Sequence, residues 1–231
     1  MNWRIHHKEM TASTNLDALS GSPGDVFTAD FQFAGRGRLD HKWHSSEGEN
    51  LMMSAVLDVK GIPAERAATL PLAVGLAVAE AFAPVDPMIK WPNDILVNSR
   101  KLAGILCERH GESVIAGIGV NVNETSFPSD IALRATSLAI LHSSRQSIAA
   151  VRDSILEKLA SIFLEWRSGG LDILMERLSK RDFLKGKTIS VIQTDDDSEP
   201  ISGLCAGMAP DGSLIVDGAK IWAGDAHIAN L

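Results

Sequence analysis

Three short stretches hold the residue types best suited to chemistry. Gly35-Arg36-Gly37-Arg38 leads through His41 and Lys42 to Trp43, Lys90-Trp91-Pro92-Asn93-Asp94 follows, and Lys101 opens the run "KLAG". Two arginines flanked by glycines let backbone N–H groups approach an anion while the guanidinium forks grip phosphate or carboxylate oxygens. A solvated basic loop would carry the same residues, so this stretch alone does not decide. In "KWPND" the proline fixes the backbone, so a cation, an amide and a carboxylate share one direction. An ordinary strand-entry turn has that composition too. Lys101 alone reads as a solvated lysine entering a strand. Asn121 and Asn123 in "GVNVN" fall on one face of a strand, where core hydrogen bonding also explains them.

Several classes are excluded. The chain has 231 residues, 45% hydrophobic and 22% charged, which suits a soluble globular protein with a real core. A net charge of −7 and a single Gly-Arg copy argue against a broad nucleic-acid surface. Cys107 and Cys205 are the only cysteines and stand far apart, so neither a disulfide framework nor a thiolate zinc site is expected, and a reducing cytoplasm fits. The N-terminus lacks the apolar core of a signal peptide, and the run Leu70 to Ala79 falls short of the roughly 20 residues of a membrane helix. "GKT" at 186–188 has Arg181 where a P-loop needs glycine, and "GIGVNV" at 117–122 has Val122 in place of the third glycine of a dinucleotide fingerprint. His41 and His44 have no further ligand nearby, so no protein-held metal site is expected.

These residues need elements to hold them. Ser13 or Thr14 caps a helix after "STN". "DVFTADFQF" and "NLMMSAVLDV" read as strands. Ala64 to Phe82 reads as a helix starting near Pro71, 95–97 and 102–109 as strands joined by a turn at Asn98–Arg100, and "SVIAGIGVNVN" as another strand. Apolar residues at three- and four-residue steps predict a helix over 147–167, capped by Ser147 and stopped by Gly169–Gly170, with a shorter helix from Leu171 to Leu178. Beyond Gly186 the texture changes to short alternating strands, "KTISVIQ", "SGLCAGM", "SLIVD" and "AKIWA", with "PDGS" a turn and "TDDDSEP" an acidic loop: a small barrel-like module.

The joint order of these weak motifs is specific: STN, then Gln32 and the Gly-Arg loop with Trp43, then KWPND, KLAG, G-x-G-x-N-x-N and a small strand-rich tail. From about Thr11 to the C-terminus the chain resembles the biotin protein ligases. The resemblance is to the monofunctional form, because only twelve residues precede "STN" and leave no room for a winged-helix DNA-binding domain. It implies an α+β fold, with a class II aminoacyl-tRNA-synthetase-like mixed sheet flanked by helices over 1–184 and a small SH3-like β-barrel over 185–231.

By the same resemblance, the chain activates biotin with ATP and Mg²⁺ to biotinyl-5′-AMP and passes biotin to one lysine of a carboxyl carrier domain. Lys101, Arg38 and Asp94 are the implied catalytic residues: the cations sit where charge develops at the α-phosphorus, and the carboxylate helps deprotonate the incoming lysine. Ser13, Thr14, Asn15, Gln32, Gly35, Arg36, Gly37, Arg38 and Lys101 would hold biotin. Arg36, Arg38, Trp43, Lys90, Asn93 and Asn121 would hold ATP or the adenylate. Partners are biotin and the carrier domain of acetyl-CoA carboxylase or a related carboxylase, with no DNA and no membrane; a homodimer is compatible. One departure stands out, since Leu39, Asp40 and His41 occupy positions where the family continues with a glycine and an arginine. A lipoate-type ligase and a non-catalytic biotin-binding protein are the alternative readings.

Overall fold

The computed structural model describes residues 1–38, 41–193 and 199–228, so the Leu39–Asp40 departure and 194–198 of the acidic loop lie outside the described residues. Seven strands form one mixed sheet: β1 (Arg4–Thr11), β2 (Asp25–Gln32), β3 (Leu51–Asp58), β4 (Met88–Lys90), β5 (Asp94–Val97), β6 (Arg100–His110) and β7 (Ser113–Val120). Their order is β1-β2-β3-β7-β6-β5-β4, with β1 and β2 parallel and every other neighbour antiparallel. Between the parallel pair lie the short α1 (Thr14–Asp17) and a 3₁₀ turn.

Strand alternation decides which face carries helices. Leu51, Met53, Ala55 and Leu57 of β3, Ala103 and Ile105 of β6, and Ala116 and Ile118 of β7 enter the main core. Two long helices cover that face: α3 (Leu70–Ala81) against β4 to β6, and α5 (Ile148–Gly169) against α3 and β3. Alternate residues point the other way. Val56 and Ile115 there form a small cluster with Ala18 and Phe27, and the rest of that face is left for the site.

A second, wholly antiparallel sheet is built from β8 (Thr188–Ile192), β9 (Ile201–Met208), β10 (Leu214–Val216), β11 (Ala219–Ile221) and β12 (Asp225–Ile228), in the order β11-β10-β9-β8-β12. Polar contacts help fasten it to the first part of the chain. The Trp91 indole donates to Gly212 O at 2.9 Å. Asp182, whose carboxyl burial pushes up, accepts from the backbone N–H groups of Leu184, Lys185 and Met208 at 3.0, 3.2 and 2.9 Å. The α+β architecture is therefore the expected one: a mixed sheet flanked by helices, with a separate antiparallel sheet at the C-terminal end.

Several expectations need correction in detail. The helix over Ala64 to Phe82 is two helices, α2 (Ala64–Ala67) and α3, because Pro71 has no N–H to continue the ladder across Ala68–Thr69. Ser13 stands at the N-cap of α1, but its side chain makes no capping bond. The segment from Leu171 is a 3₁₀ turn (Asp172–Leu174) followed by α6 (Met175–Lys180). Ser147 does cap α5, accepting from Ala150 N at 3.2 Å. The turn between β5 and β6 is confirmed, with Asn98 and Ser99 at φ 51° and 63°, as a two-residue hairpin demands. Four elements had no reading in the sequence: β1, β4, α4 (Leu138–His142) and β12. Among the described residues, no helix is long and apolar enough to cross a membrane.

Candidate active site

The site is built on the helix-free face. Register places Met52, Gly119 and Gly104 in one row across β3, β7 and β6, and Ser54, Gly117 and Leu106 in the next. The two glycines of β7 matter because something lies directly on each. A Cβ at Gly119 would fall 2.6 Å from Cε2 of Trp43, and a Cβ at Gly117 would run into Asn15 Oδ1. The "GIGVNV" glycines thus admit a tryptophan and an asparagine onto the sheet, which explains their spacing without any nucleotide fingerprint.

Over the second row lies a neutral polar cluster. Thr14 and Asn15, both buried, open α1 immediately after β1. Gln32, at the end of β2, accepts from Thr14 N at 2.7 Å and lies 3.1 Å from the Thr14 hydroxyl. Ser54 Oγ lies 2.6 Å from Asn15 Oδ1 and 2.7 Å from Thr14 Oγ1. Asn15 Nδ2 donates to Glu108 Oε2 at 2.7 Å. Ser13 is buried beside them, and its carbonyl accepts from Leu16 and Asp17.

Over the first row lies the charged end. Lys101 Nζ is 2.7 Å from Asp94 Oδ1 and 5.9 Å from the Trp43 ring centroid, within reach of a cation–π contact. The Asp94 oxygen is buried without a hydrogen bond despite that short distance, so the contact pairs charges but is poorly aligned. The Trp43 indole N–H is likewise buried with no acceptor. Asn93 Nδ2 donates to Ile105 O at 3.0 Å, which turns its Oδ1 toward Arg38 Nη1 at 3.4 Å. Arg38 also stands 3.9 Å from Asp225 of β12, so the second sheet borders the site. Asn121 Nδ2 donates to the carbonyls of Lys101 and Thr136 at 3.3 and 3.0 Å, fixing the backbone at which Lys101 enters β6. Asn123 similarly brackets Gln146 through Nδ2 and Oδ1.

The Gly-Arg loop joins the two ends. Gly35 O accepts from Trp43 N at 3.0 Å, and Arg36 forks onto Glu108. A cleft of about 480 Å³ is lined by Ala34 to Arg38, His41, Lys42 and Leu106. A larger cleft of about 590 Å³ runs along β1, but each basic side chain lining it already faces a carboxylate: His6 faces Asp25, His7 faces Asp30 and Lys8 faces Asp17. The loop cleft is the better seat for an anion, because His41 and Lys42 have no ion-pair partner among the described residues.

The expected residues thus fall into two groups. Thr14, Asn15, Gln32 and Arg36 gather at one end, and Arg38, Trp43, Asn93, Asp94 and Lys101 at the other. Lys90 is in register with Asp94 on β4 but makes no side-chain polar contact among the described residues. Sequence reasoning missed Ser54, Glu108 and Asp225. Ser54 is a lone hydroxyl in an apolar strand, and Glu108 follows Gly104 and Leu106 at two-residue steps. Alternation could have found both; nothing local marks Asp225. The two cysteines stay out of the chemistry: burial pushes the Cys107 thiol up to about 12 and raises that of Cys205. No group of three or more metal-ligating side chains occurs among the described residues.

The site thus has a hydrogen-bonding end around Thr14, Asn15, Gln32 and Ser54 and a charged end around Arg38, Asp94 and Lys101. Residues 5–123 match the biotin/lipoate A/B protein ligase family, and the chain belongs to that family. It is 43% identical over 171 residues to the bifunctional ligase/repressor BirA of Bacillus spizizenii, covering 68% of this chain and 52% of that protein. With the biotin–[acetyl-CoA-carboxylase] ligase of Mycobacterium tuberculosis it shares 35% identity over 170 residues, 68% of this chain and 63% of the relative. The chain thus spans between half and two thirds of the length of these two relatives. The solved biotin protein ligase of Aquifex aeolicus, in complex with biotin and ATP, superposes with a TM-score of 0.85 at 25% identity, covering 97% of this chain and 98% of that one.

Proposed function

We propose that the chain is a biotin–protein ligase that joins biotin to AMP and then transfers it to a lysine of a biotin carboxyl carrier domain of acetyl-CoA carboxylase or a related carboxylase. The observation that carries this reading is the two-ended cleft. Thr14, Asn15, Gln32 and Ser54 form a row of neutral donors and acceptors suited to a ureido ring. The other end brings Lys101 and Arg38 to where a carboxylate would attack the α-phosphorus of ATP, with Mg²⁺ offsetting the charge of the phosphates. Trp43, half-buried with an unpartnered N–H, suits adenine, and Lys90, Asn93 and Asn121 would border the nucleotide.

Asp94 serves two steps in this scheme. Its charge holds Lys101 before the substrates arrive. Once Lys101 turns to the phosphate, the freed carboxylate can accept a proton from the attacking lysine, whose ordinary pKa near 10.4 leaves it unreactive. Residues 1–184 act as the catalytic unit, and 185–231, bordering the site through Asp225, as its accessory. The test is to mix the protein with biotin, ATP and Mg²⁺, look by mass spectrometry for retained biotinyl-5′-AMP, and then add a carrier domain. Adenylate and a biotinylated carrier lysine are expected. Adenylate formed only with lipoate or octanoate, or biotin bound without pyrophosphate release, would replace this reading.

A further inference from the structure

We propose that Glu108 is a positioning residue that clamps the Gly-Arg loop to the Thr14–Asn15 turn and fixes the donor–acceptor polarity of the neutral pocket. The proposal rests on the ligase reading above. Both carboxylate oxygens are engaged. Oε1 stands 2.9 Å from Arg36 Nη2, while Oε2 is 3.2 Å from Arg36 Nη1 and 2.7 Å from Asn15 Nδ2. The fork joins a loop residue to one of the α1 turn through a single side chain of the sheet.

As a surface ion pair this contact would count for little, since the Arg36 and Glu108 side chains are 45% and 24% exposed. The bond to Asn15 changes its weight, because Asn15 is buried. An ionised carboxylate only accepts, so Asn15 must turn its NH₂ toward Glu108 and its carbonyl toward Ser54. Ser54 then has two acceptors for its one proton, Asn15 Oδ1 at 2.6 Å and Thr14 Oγ1 at 2.7 Å, while Thr14 gives its own hydroxyl proton to Gln32 Oε1 at 3.1 Å. One carboxylate thereby fixes which way the Asn15 amide points and which of its atoms Ser54 meets. Such a polarity decides which ring donors and acceptors fit, because a buried polar group left unpaired is costly.

Position separates this role from the chemical step. Glu108 lies four residues beyond Gly104, the position over which the Lys101 ammonium sits, about 13 Å along the strand at about 3.3 Å per residue. Among the described residues its polar partners are Arg36 and Asn15, and not Arg38, Asp94 or Lys101. Its loss should therefore appear in binding and not in turnover.

The experiment compares Glu108→Gln and Glu108→Asp in the full chain. Glutamine can offer an NH₂ to Asn15 and let it flip, whereas aspartate remains an acceptor. Glu108→Gln should raise KM for biotin about tenfold with kcat for adenylate formation changed less than about threefold, and Glu108→Asp should recover part of the loss. Without ligand, hydrogen exchange at 14–15 and 35–38 should quicken in Glu108→Gln and stay nearer wild type in Glu108→Asp. Unchanged KM with unchanged exchange overturns the proposal, as does a fall in kcat at saturating biotin with KM unaltered. Should the wild-type chain form no adenylate, the ligase reading fails, and the clamp stands or falls on the exchange comparison alone.

Discussion

Lys101 Nζ stands 2.7 Å from Asp94 Oδ1 across the β5–β6 hairpin, and that oxygen has no hydrogen bond to hold it there. The pair is close enough to keep the ammonium in place and loose enough to release it. The Lys101 side chain is 38% exposed, so it can turn toward the cleft without breaking the core. Lys101→Ala should slow adenylate formation about 10²–10³-fold, as for loss of one preorganised charge-stabilising donor. Biotin-dependent pyrophosphate release measures this, and near-normal turnover removes Lys101 from the mechanism.

Trp43 reaches its place only because Gly119 lacks a side chain. An alanine there would put its Cβ 2.6 Å from Cε2 and 2.7 Å from Cζ2 of the indole. Gly119 lies inside β7, paired on both sides, so the backbone cannot yield and the indole must. Gly119→Ala should weaken ATP binding by about tenfold or more, the overpacking cost appearing at the site and not in the helical core. KM for ATP and the Trp43 environment in fluorescence report it. An unaltered KM would separate Trp43 from the nucleotide.

Acid should loosen the helical layer through Glu80. Arg177 holds Glu80 through bonds of 2.8 and 2.7 Å, and the guanidinium keeps the Glu80 carboxyl below its ordinary range. A depressed carboxylate stabilises the fold above its unfolded value of 4.5, and that contribution fades as pH falls through the folded value. Glu80→Gln should therefore be less stable than wild type at neutral pH and lose less stability on acidification. Urea denaturation at about pH 7 and about pH 3.5 shows the difference, and parallel acid profiles would exclude Glu80 as the source.

Local patterns explain why some of this was legible. Apolar spacing and Ser147 predict α5, and the turn at 98–100 predicts the β5–β6 hairpin. The Lys101–Asp94 pair does not follow from it, because Asp94 stands opposite Gly104 and Lys101 opposite Leu96, and the lysine side chain reaches along the strand over Gly104. β1 was illegible because an edge strand exposed along nearly its whole length shows no apolar alternation. β4 has only three residues, too few for any period. The contacts of Glu108 with Asn15 and of Trp43 with Gly119 depend on β-sheet register, which residue types alone do not set. The motif residues could thus be named, but the rows on which they meet could not.

Arg38 is the side chain that spans the charged end, 3.4 Å from Asn93 Oδ1 and 3.9 Å from Asp225 Oδ1. It leads from the loop to both the KWPND corner and the second sheet. Lys101 reaches the same end independently, so under the proposed ligase reading removing Arg38 would leave one cation for the chemistry but loosen a loop proposed to keep water out. A mixed anhydride survives only while it is enclosed. Arg38→Gly should therefore still form biotinyl-5′-AMP while releasing it about tenfold faster or more, the scale of losing a charge-assisted hydrogen bond. The leaked adenylate should label lysines of an unrelated protein in the same tube. Hydrogen exchange across 35–38 and 41–43 supplies the structural half of the test, with protection expected on adenylate binding in the wild type and much less in Arg38→Gly. Equal protection with and without adenylate in the wild type, or a variant that is inactive and labels nothing, would mean that the loop does not close over the intermediate.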